Sequence, residues 1–403
     1  MGLFKKDFKN KNLIVLDIGT QFIKALMMEV DKNKAKGIIY AWTKESFCDE
    51  KNKSIIESEK TFYACQKAIK NLFKKTGKKT EEVFLGIGSD ILKGKTTSLC
   101  YRRDNPDQNI DLSELKYLIQ KIQWRAFDEI RKELSQQTDF LDSDARLANA
   151  HIVDIKVDGH SISDPIGFRG SVLCLSVFNT YTALQHWNNL GKFISALGLK
   201  IIGVSPLAYA LFHCLDLEKS SKGDVLVVDI GSRTTEVILI KNGGEIIEAK
   251  NFYLGGWVFS KVLADFLGIN PEEAEMVKTK YIKGELSSEA KKKIEKLFMP
   301  HVSSWLNGIR IVMDDFLKGY KSLPSKIFLC GGSCNLPLIE SELKRNKNLK
   351  IHYISPLNIV KIENRTKFQE IPTLALANLY LDLPEEKNIL ASTLKRIMRL
   401  IQS

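Results

Sequence analysis

Two stretches of the chain repeat one pattern of apolar and polar positions. In residues 225–240 (VLVVDIGSRTTEVILI), an apolar run ends at Asp229-Ile230-Gly231, a short polar segment follows, and a second apolar run begins. Residues 13–26 (LIVLDIGTQFIKAL) show the same order near the start of the chain. Apolar runs separated by a few polar turn residues predict a β-hairpin with a polar tip. The sequence therefore predicts the same hairpin twice.

The tips of both predicted hairpins carry groups that suit a phosphate. Gly231 leaves space for an anion to approach the backbone, the hydroxyl of Ser232 can donate a hydrogen bond, and Asp229 can hold a metal ion through water. A plain hairpin turn explains either stretch taken alone, because Gly and Ser are ordinary turn residues. The second copy, with Asp17 and Gly19 in the same places, favours phosphate binding.

Strands and helices alternate through much of the chain. Apolar periodicity predicts helices over 60–76 and 181–197, and apolar runs predict strands near 37–42, 83–87 and 199–204. A different order interrupts this alternation: a strand over 95–103, a helix that begins with the capping-box sequence DLSE at 111–114, and strands over 150–157 and 171–178. This strand-helix-strand-strand unit is predicted to be an insertion in the first lobe.

Composition narrows the class of protein. With 403 residues and 44% hydrophobic content, two or three globular domains are expected. No apolar run approaches the length of a membrane span and the start lacks the apolar core of a signal peptide, so we expect residence in the cytoplasm. Seven cysteines without a CxxC motif predict reduced, structural thiols.

The formal net charge of +12 favours an acidic partner: nucleic acid, an anionic membrane surface or an acidic protein. The charge alone does not choose among them. The sequence shows no interleaved aromatic and basic platform and no helix-turn-helix pattern, so nucleic acid is not expected as a partner.

The paired hairpins resemble the phosphate loops of the actin-like ATPase superfamily, in which two related subdomains clamp a nucleotide. The resemblance implies an α/β fold, actin-like (ribonuclease H-like), duplicated into two lobes, with ATP and Mg²⁺ in the cleft. It assigns Asp17 and Asp229 to the metal and to catalysis. The implied phosphate contacts are Gly19, Thr20, Gln21 and Lys24 in the first loop, and Gly231, Ser232, Arg233, Thr234 and Thr235 in the second. No GxxxxGK[ST] occurs, which disfavours a P-loop NTPase.

Three segments of the second half extend the resemblance. Gly255-Gly256 precedes an amphipathic helix, whose free backbone N–H groups would face phosphate. Residues 271–278 (PEEAEMVK) resemble the helix whose Glu and Lys reach ribose and adenine, here Glu275 and Lys278. Residues 327–337 (IFLCGGSCNLP) resemble the adenosine loop, here with Gly331, Gly332 and Ser333, and residues 371–380 resemble the second connecting helix.

Some positions depart from the family pattern. The first connecting helix of the family usually opens with Glu-Pro, and that Glu positions the attacking water, whereas Ser205-Pro206 stands here. A hydroxyl is a poor general base, so we predict ATP binding with weak or absent hydrolysis. Arg233 replaces a glycine of the second phosphate loop and either crowds or contacts the phosphates. Trp257 stands where the family usually has Asp.

The insertion narrows the resemblance to two families, the cell-division protein FtsA and the type IV pilus protein PilM. Residues 157–170 (VDGHSISDPIGFRG) match an FtsA stretch through Asp158, Gly159, Asp164, Pro165, Gly167 and Gly170. All six are also turn formers. An FtsA-like protein is expected to form a filament with itself, to bind the C-terminal peptide of FtsZ and to anchor the division ring. A PilM-like scaffold of pilus assembly, a metabolic kinase and a scaffold that has lost nucleotide are the alternatives.

The predicted boundaries follow from the same resemblance. They are 1–12 for a flexible N-terminus, 13–90 with 175–204 for subdomain 1A, 91–174 for the inserted subdomain 1C, 205–255 with 325–383 for subdomain 2A, 256–324 for subdomain 2B, and 384–403 for a linker and C-terminal helix.

Residues 387–403 (KNILASTLKRIMRLIQS) predict a basic amphipathic helix. Its apolar half carries Ile389, Leu390, Leu394, Ile397, Met398, Leu400 and Ile401, and its polar half carries Ser392, Lys395, Arg396 and Arg399. The segment resembles the membrane-surface helix that ends FtsA, which implies attachment to an anionic membrane on its cytoplasmic face. A terminal helix packed on its own domain and a helix that binds a partner are the alternatives.

Overall fold

The computed structural model describes residues 11–31, 36–46, 56, 58–88, 91–137, 145–213, 223–241, 246–320, 322–345, 349–354, 362–363, 371–382, 393–394 and 396–398. The strands are β1 Lys11–Ile18, β2 Phe22–Asp31, β3 Lys36–Ser46, β4 Glu82–Ile87, β5 Lys93–Arg102, β6 Ala145–Val157, β7 His160–Ser161, β8 Val172–Ala183, β9 Lys200–Pro206, β10 Val225–Ile230, β11 Thr235–Ile240, β12 Ile246–Phe252, β13 Lys326–Cys330, β14 Lys350–Tyr353 and β15 Ile362–Glu363. The helices are α1 Glu59–Thr76, α2 Leu112–Gln137, α3 Leu184–Ala196, α4 Leu207–His213, α5 Trp257–Leu267, α6 Pro271–Lys283, α7 Ser288–Leu317, α8 Pro337–Arg345 and α9 Ile371–Asp382.

The first sheet has the order β15-β3-β2-β1-β4-β9. Strands β1 and β2 form the first predicted hairpin, and β4 and β9 continue the sheet in parallel with β1. Helix α1 begins after the N-cap Ser58 and packs its apolar face, including Ala68 and Leu72, onto this sheet. The structure therefore confirms the first hairpin and the helix predicted over 60–76.

The second sheet has the order β14-β13-β10-β11-β12-β5-β8-β6-β7. Strands β10 and β11 form the second predicted hairpin, and β13 and β14 run parallel to β10. The two hairpins close in the same way: Gly19 N–H donates to Phe22 O at 3.2 Å, and Gly231 N–H donates to Thr234 O at 3.0 Å. The duplication predicted from the sequence is thus present in the backbone.

The inserted unit contains β5, α2, β6, β7 and β8. Its strands extend the second sheet, because β5 pairs with β12 where Lys95 lies opposite Glu248. Strand β8 continues to Ala183, so the prediction that a helix starts at 181 is wrong. Residues 177–183 are buried throughout, which indicates that both faces of this strand are covered. Helix α3 follows directly at Leu184.

The turn-rich segment 157–170 is held by hydrogen bonds to its neighbours. The Asp158 carboxylate accepts the N–H groups of Ser171 and Val172 at 2.8–3.1 Å, and Gly167 N–H donates to Ile110 O at 2.9 Å. Gly170 has no room for a side chain, since a Cβ there would lie 2.3 Å from Val157 Cγ1. In this structure these residues serve as turn formers that join the segment to the start of α2.

Two helices, α4 and α9, share one hydrophobic core with residues of both sheets. Helix α4 follows β9, and α9 packs against it with residues such as Leu374 and Leu376 fully buried. A Cβ on Gly86 of β4 would lie 2.1 Å from Leu376 Cδ1, so this glycine allows the helix to lie directly on the first sheet. The position of α9 agrees with the second connecting helix predicted over 371–380.

The thiols differ from expectation at one place. Cys100 of β5 and Cys174 of β8 are direct partners in the antiparallel ladder and are joined by a disulfide bond. The prediction of reduced cysteines is therefore wrong for this pair, because cross-strand pairing brings the two Cα atoms to 4.0 Å. Cys65, Cys330 and Cys334 are free and buried, as predicted. Cys48 and Cys214 lie outside the described residues.

The described part of the C-terminal segment is helical at 393–394 and 396–398. Leu394, Ile397 and Met398 are buried in the hydrophobic core of the inserted unit, whereas Arg396 is exposed. These residues therefore adopt the alternative of a terminal helix packed on its own protein. The other predicted residues of this helix lie outside the described part, as does the N-terminal segment 1–10. Within the described ranges, no helix has the length and apolar character needed to cross a bilayer.

Candidate functional site

The first hairpin places a carboxylate and an ammonium group side by side. Asp17 is the penultimate residue of β1 and its side chain is fully buried, and Lys24 lies directly opposite it on β2. The Lys24 Nζ is 3.0 Å from Asp17 Oδ2. Lys24 follows Asp17 by seven residues, and the register of the tight hairpin brings both groups to the same level of the sheet.

The second hairpin brings Asp229 to the first one. Burial raises the pKa of the Asp229 carboxyl to about 6; the ammonium of Lys24 opposes this shift, and the carboxylate of Asp17 adds to it. Both influences require Lys24 and Asp17 to lie near Asp229. The two hairpins, which are far apart in the chain, thus come together at these three side chains, and the place where they meet is termed the cleft.

A hydrogen bond between the side chains of Gln21 and Glu275 also links the lobes. Glu275 Oε2 accepts from Ser260 Oγ at 2.5 Å and lies 2.7 Å from Lys278 Nζ. Burial alone would raise the pKa of Glu275, but Lys278, Ser260 and Gln21 together hold it below its ordinary value. Burial lowers the pKa of Lys278 despite its ion pair with Glu275.

The glycines before α5 approach the second hairpin closely. A Cβ on Gly255 would lie 2.5 Å from Ser232 O, and a Cβ on Gly256 would lie 1.8 Å from Ser333 Oγ. Gly256 N–H donates to Gly231 O at 3.0 Å, and Trp257 N–H donates to Ser232 O at 2.8 Å. The expectation of free N–H groups at this helix start is therefore wrong for these two residues. These two hydrogen bonds join the start of α5 to the tip of the second hairpin.

The predicted adenosine loop closes over the same hairpin. Gly331 has φ +89, and a Cβ there would lie 2.3 Å from Asp229 Oδ1, so only glycine fits. Ser333 Oγ donates to Gly231 O at 3.2 Å, and its N–H donates to Ile230 O at 3.1 Å. A Cβ on Gly332 would meet nothing within 4 Å, which indicates open space beside this residue.

Thr235 does not line the cleft. Its side chain is fully buried; its hydroxyl donates to Leu254 O at 2.7 Å and accepts from Trp305 Nε1 at 2.9 Å. We therefore correct its assignment as a phosphate contact, because alternation along β11 turns this hydroxyl into the core. By contrast, Ser232 Oγ is buried without a hydrogen-bond partner among the described residues.

Arg233 and Trp257, the two departures from the family pattern, lie together. The Arg233 guanidinium carbon is 5.6 Å from the centre of the Trp257 ring, within the range of a cation–π contact. Lys261 Nζ is 5.5 Å from the same ring. The arginine side chain therefore leans towards the start of α5.

Ser205 is the penultimate residue of β9 and is buried. In the parallel ladders Asp17 lies opposite Gly86, and Gly86 lies opposite Ser205. Two strand spacings place the backbones of Asp17 and Ser205 roughly 10 Å apart at one level of the sheet. The Ser205 hydroxyl donates to Pro206 O at 3.0 Å, so it points back to its own backbone.

The donor set fits a phosphate chain with a divalent cation. Ser232 offers a buried hydroxyl that has no protein partner in the described structure, and Lys24 supplies a positive charge. Asp17 and Asp229 are the two carboxylates at this place. The described residues contain no cluster of three or more His, Cys, Asp or Glu side chains that could hold a metal by themselves. A cation here would therefore need ligands from phosphate or water, as Mg²⁺ commonly has.

Several residues of the site were not predicted from the sequence. Ser260 binds Glu275, and Trp305 fixes Thr235, although neither belongs to a motif. Ser260 lies three residues after Trp257 on α5. Its position near the start of that helix was the one feature of the sequence that could have pointed to it. Trp305 comes from the middle of α7, and nothing in its sequence neighbourhood points to β11.

A duplicated α/β fold, with a phosphate-type hairpin in each lobe and the two tips facing one cleft, is the actin-like ATPase fold. Comparisons with known proteins agree. The family model of the type IV pilus assembly protein PilM matches residues 198–379. A solved PilM–PilN type IV pilus biogenesis complex contains a chain with TM-score 0.65 and 15% identity, and the match covers 93% of this chain and 100% of that one.

Two relatives are cell division proteins FtsA, the other family that the motifs resemble. The cell division protein FtsA of Pseudomonas aeruginosa is 22% identical over 272 residues, which is 67% of this chain and 61% of that protein. FtsA of Helicobacter pylori is 27% identical over 150 residues, which is 37% of this chain and 30% of that protein. The chain thus spans less than two thirds of either relative. The resemblance to both FtsA and PilM, predicted from the motifs, is confirmed.

Proposed function

We propose that the chain binds ATP and Mg²⁺ between its two hairpins and works as an actin-like scaffold. The observation that carries this proposal is the meeting of Asp17, Lys24 and Asp229 at one point of the cleft. Two carboxylates with one ammonium group between lobes suit a metal–phosphate ligand. The same geometry would be costly without a ligand, because buried charges of like sign repel each other.

Several of the predicted residues have a role in this proposal, and Thr235 has none because its hydroxyl is engaged in the core. Lys24 and Ser232 bind phosphate oxygens, together with the backbone around Gly19, Thr20, Gly231 and Thr234. Asp17 and Asp229 hold the water shell of Mg²⁺, which neutralises the phosphates when it is bound. Glu275 and Lys278, which form an ion pair, are proposed to contact the ribose and base, and the open space at Gly332 is proposed to admit the ring. Arg233 reaches phosphate only if it leaves Trp257.

Hydrolysis is proposed to be weak or absent. Ser205 takes the place of the family's glutamate, and its hydroxyl is engaged with Pro206 O. A general base is a group that accepts a proton near the operating pH, and a serine hydroxyl does not do so. A metabolic kinase is disfavoured for the same reason. Such an enzyme needs a general base beside the hydroxyl of its acceptor substrate, and we assign this role to none of the described residues at the cleft.

The FtsA resemblance gives the preferred cellular role. In this role the protein self-associates, binds the C-terminal peptide of FtsZ, and attaches to the cytoplasmic face of the membrane through residues 387–403. One basic helix binds an anionic surface weakly, at roughly 1 kcal/mol per cation, whereas a polymer gains avidity of about 10² to 10⁴. Two curated relatives named FtsA support this choice.

A PilM-like pilus scaffold is the second candidate. The family model over residues 198–379 and the PilM–PilN structure favour it. Pull-down with an FtsZ C-terminal peptide and, in parallel, with the cytoplasmic segment of a PilN-type membrane protein separates the two. Retention on the first peptide alone supports the division role, and retention on the second alone replaces it with the pilus role. Retention on neither contradicts both partners.

Nucleotide binding is tested separately by calorimetry with ATP and Mg²⁺. We expect saturable binding that weakens when EDTA removes the metal. Absence of heat, together with unchanged thermal stability in excess ATP and Mg²⁺, would contradict the proposed ligand, since a ligand at 100 times its Kd stabilises by about 2.7 kcal/mol.

A further inference from the structure

The C-terminal helix covers part of the inserted unit with its apolar face. Leu394 is 2% exposed, and Ile397 and Met398 share its hydrophobic cluster with α2 and β8. Arg396, one residue before Ile397, is exposed. The apolar half that would enter a membrane surface is therefore buried against protein, while a cation of the other half faces solvent.

Helix α2 is buried on more sides than one sheet can cover. Leu118 and Phe127 are nine residues apart, which places them on opposite sides of the helix, and both lie in the same buried cluster. A helix on a single sheet usually buries a stripe about 100° wide. Strands β5, β6 and β8 contact α2, so the C-terminal helix supplies further cover for the cluster.

This interior carries polar groups that are poorly satisfied. Gln123 of α2 is fully buried, and neither atom of its amide has a hydrogen-bond partner in the described structure. Asn179 of β8 is also fully buried, with no partner for Oδ1 in the same ranges. Alternation along β8 puts Asn179 on the face that carries Val177 and Tyr181 of the cluster. An unpaired buried amide lowers the stability of the packed cluster, and water that reached it would relieve this penalty.

We infer that residues 393–394 and 396–398 form a latch whose apolar face has two alternative partners, the inserted unit of its own chain and an anionic membrane surface. The inference rests on the membrane attachment proposed above. The apolar side chains of Leu394, Ile397 and Met398 cannot lie in the hydrophobic cluster of the inserted unit and in lipid at the same time. Whether the helix is packed or membrane-bound therefore depends on the difference between two free energies. One is the free energy of binding the free helix to the membrane, and the other is that of packing the helix on the inserted unit. The protein in solution hides its attachment segment.

Hydrogen–deuterium exchange on the full chain tests the contact. Without lipid, we expect amides of residues 393–398 to be protected, together with those of α2. Vesicles of phosphatidylcholine with phosphatidylglycerol should raise exchange in α2 at least tenfold as the tail leaves, and pure phosphatidylcholine vesicles should not. Unprotected tail amides in the absence of lipid would overturn the latch.

Two substitutions in neighbouring positions separate the faces of the helix. Ile397→Ser removes a buried apolar side chain, so exchange in α2 should rise at least tenfold without lipid. Arg396→Glu changes the exposed face, so the protection should stay as in the wild type while binding to anionic vesicles falls about tenfold. Equal protection in Ile397→Ser and the wild type would contradict the packing.

A third variant changes the latch without changing the tail. Gln123→Met replaces the unpaired amide with an apolar side chain of similar size, so the closed state should be strengthened. We expect a higher melting temperature and at least threefold weaker binding to anionic vesicles. Unchanged vesicle binding in spite of the higher melting temperature would refute the competition. If no form of the full chain binds vesicles while the tail stays protected, the proposed membrane attachment fails and the membrane half of the inference fails with it.

Discussion

Lys24 lies directly across the β1–β2 ladder from Asp17, with its ammonium nitrogen 3.0 Å from a carboxylate oxygen. Both side chains are largely buried, and the carboxyl of Asp229 is close enough to respond to each of them. The ammonium group of Lys24 therefore balances carboxylate charge on both hairpins. A triphosphate with its metal would add negative and positive charge at the same point, so Lys24 is central to the proposed site.

Replacing Lys24 with alanine should lower ATP affinity at least tenfold, which corresponds to about 1.4 kcal/mol. The physical reason is the loss of a partly desolvated positive charge beside the phosphates. Isothermal calorimetry with Mg²⁺ present measures the effect. Lys44→Ala is the matched control, because Lys44 lies opposite Lys24 in the β2–β3 ladder but is exposed. Wild-type affinity in Lys24→Ala, with a normal melting curve, would rule out a phosphate-binding role.

Replacing Asp229 with asparagine should stabilise the protein without ligand and abolish binding of the metal–nucleotide pair. The folded-state pKa is raised from 3.8 to about 6, so the folded protein favours the neutral carboxyl. The resulting penalty is absent below pH 3.8, grows as the pH rises towards 6, and is complete above it. Two pKa units correspond to about 3 kcal/mol, which we take as an upper bound.

Urea denaturation of Asp229→Asn and the wild type at pH 7.5 and pH 5 checks the sign. The variant should have the higher midpoint at pH 7.5, and the difference should shrink at pH 5. Asp265→Asn on the exposed side of α5 is the control and should change neither midpoint. A variant that is less stable than the wild type at pH 7.5 would show that the carboxylate is well compensated in the folded state.

The hairpins were predictable because a strand, a polar turn and a strand are close in sequence, and Gly19 and Gly231 mark the turns. The pairing of Gln21 with Glu275 was not predictable from periodicity, since it depends on how two lobes meet. Thr235 was assigned wrongly because its strand partner and the distant Trp305 decide which way its hydroxyl points. The N–H groups of Gly256 and Trp257 were taken as free because the sequence does not show the carbonyl groups they reach.

The inserted unit contains an ion pair whose pH dependence can be derived. Arg103 is almost fully buried; its Nε and Nη2 donate to Glu114 at 2.6 and 2.9 Å, and it also reaches Gly170 O and Gln108 O. The hydrogen bonds from Arg103 lower the pKa of Glu114 below 4.5. This contribution to stability is present above pH 4.5 and is lost as the pH falls through the lower, folded-state value.

Glu114→Gln should therefore destabilise the protein at pH 7 by about 3 kcal/mol, because it leaves the Arg103 charge buried without its partner. The loss should narrow as the pH falls below 4.5, where the wild type loses the same contribution. Chemical denaturation followed by circular dichroism measures both effects. Glu289→Gln, which removes an exposed i,i+4 partner of Lys293, should change stability by less than about 0.5 kcal/mol. Equal stability of Glu114→Gln and the wild type at pH 7 would contradict the role of the pair.

Ser205 allows a test of the proposed lack of a general base. Its hydroxyl donates to Pro206 O and is buried, so Ser205→Ala should leave ATP turnover unchanged within a factor of two. Wild-type turnover should itself stay below about one ATP per minute, far under the 1–10³ per second typical of enzymes. A phosphate-release assay on both proteins measures this, with Asp17→Asn as the variant that abolishes any residual activity. A tenfold fall in Ser205→Ala would show that the hydroxyl takes part in the chemistry, because removing one oxygen atom at this buried position leaves the surrounding fold in place.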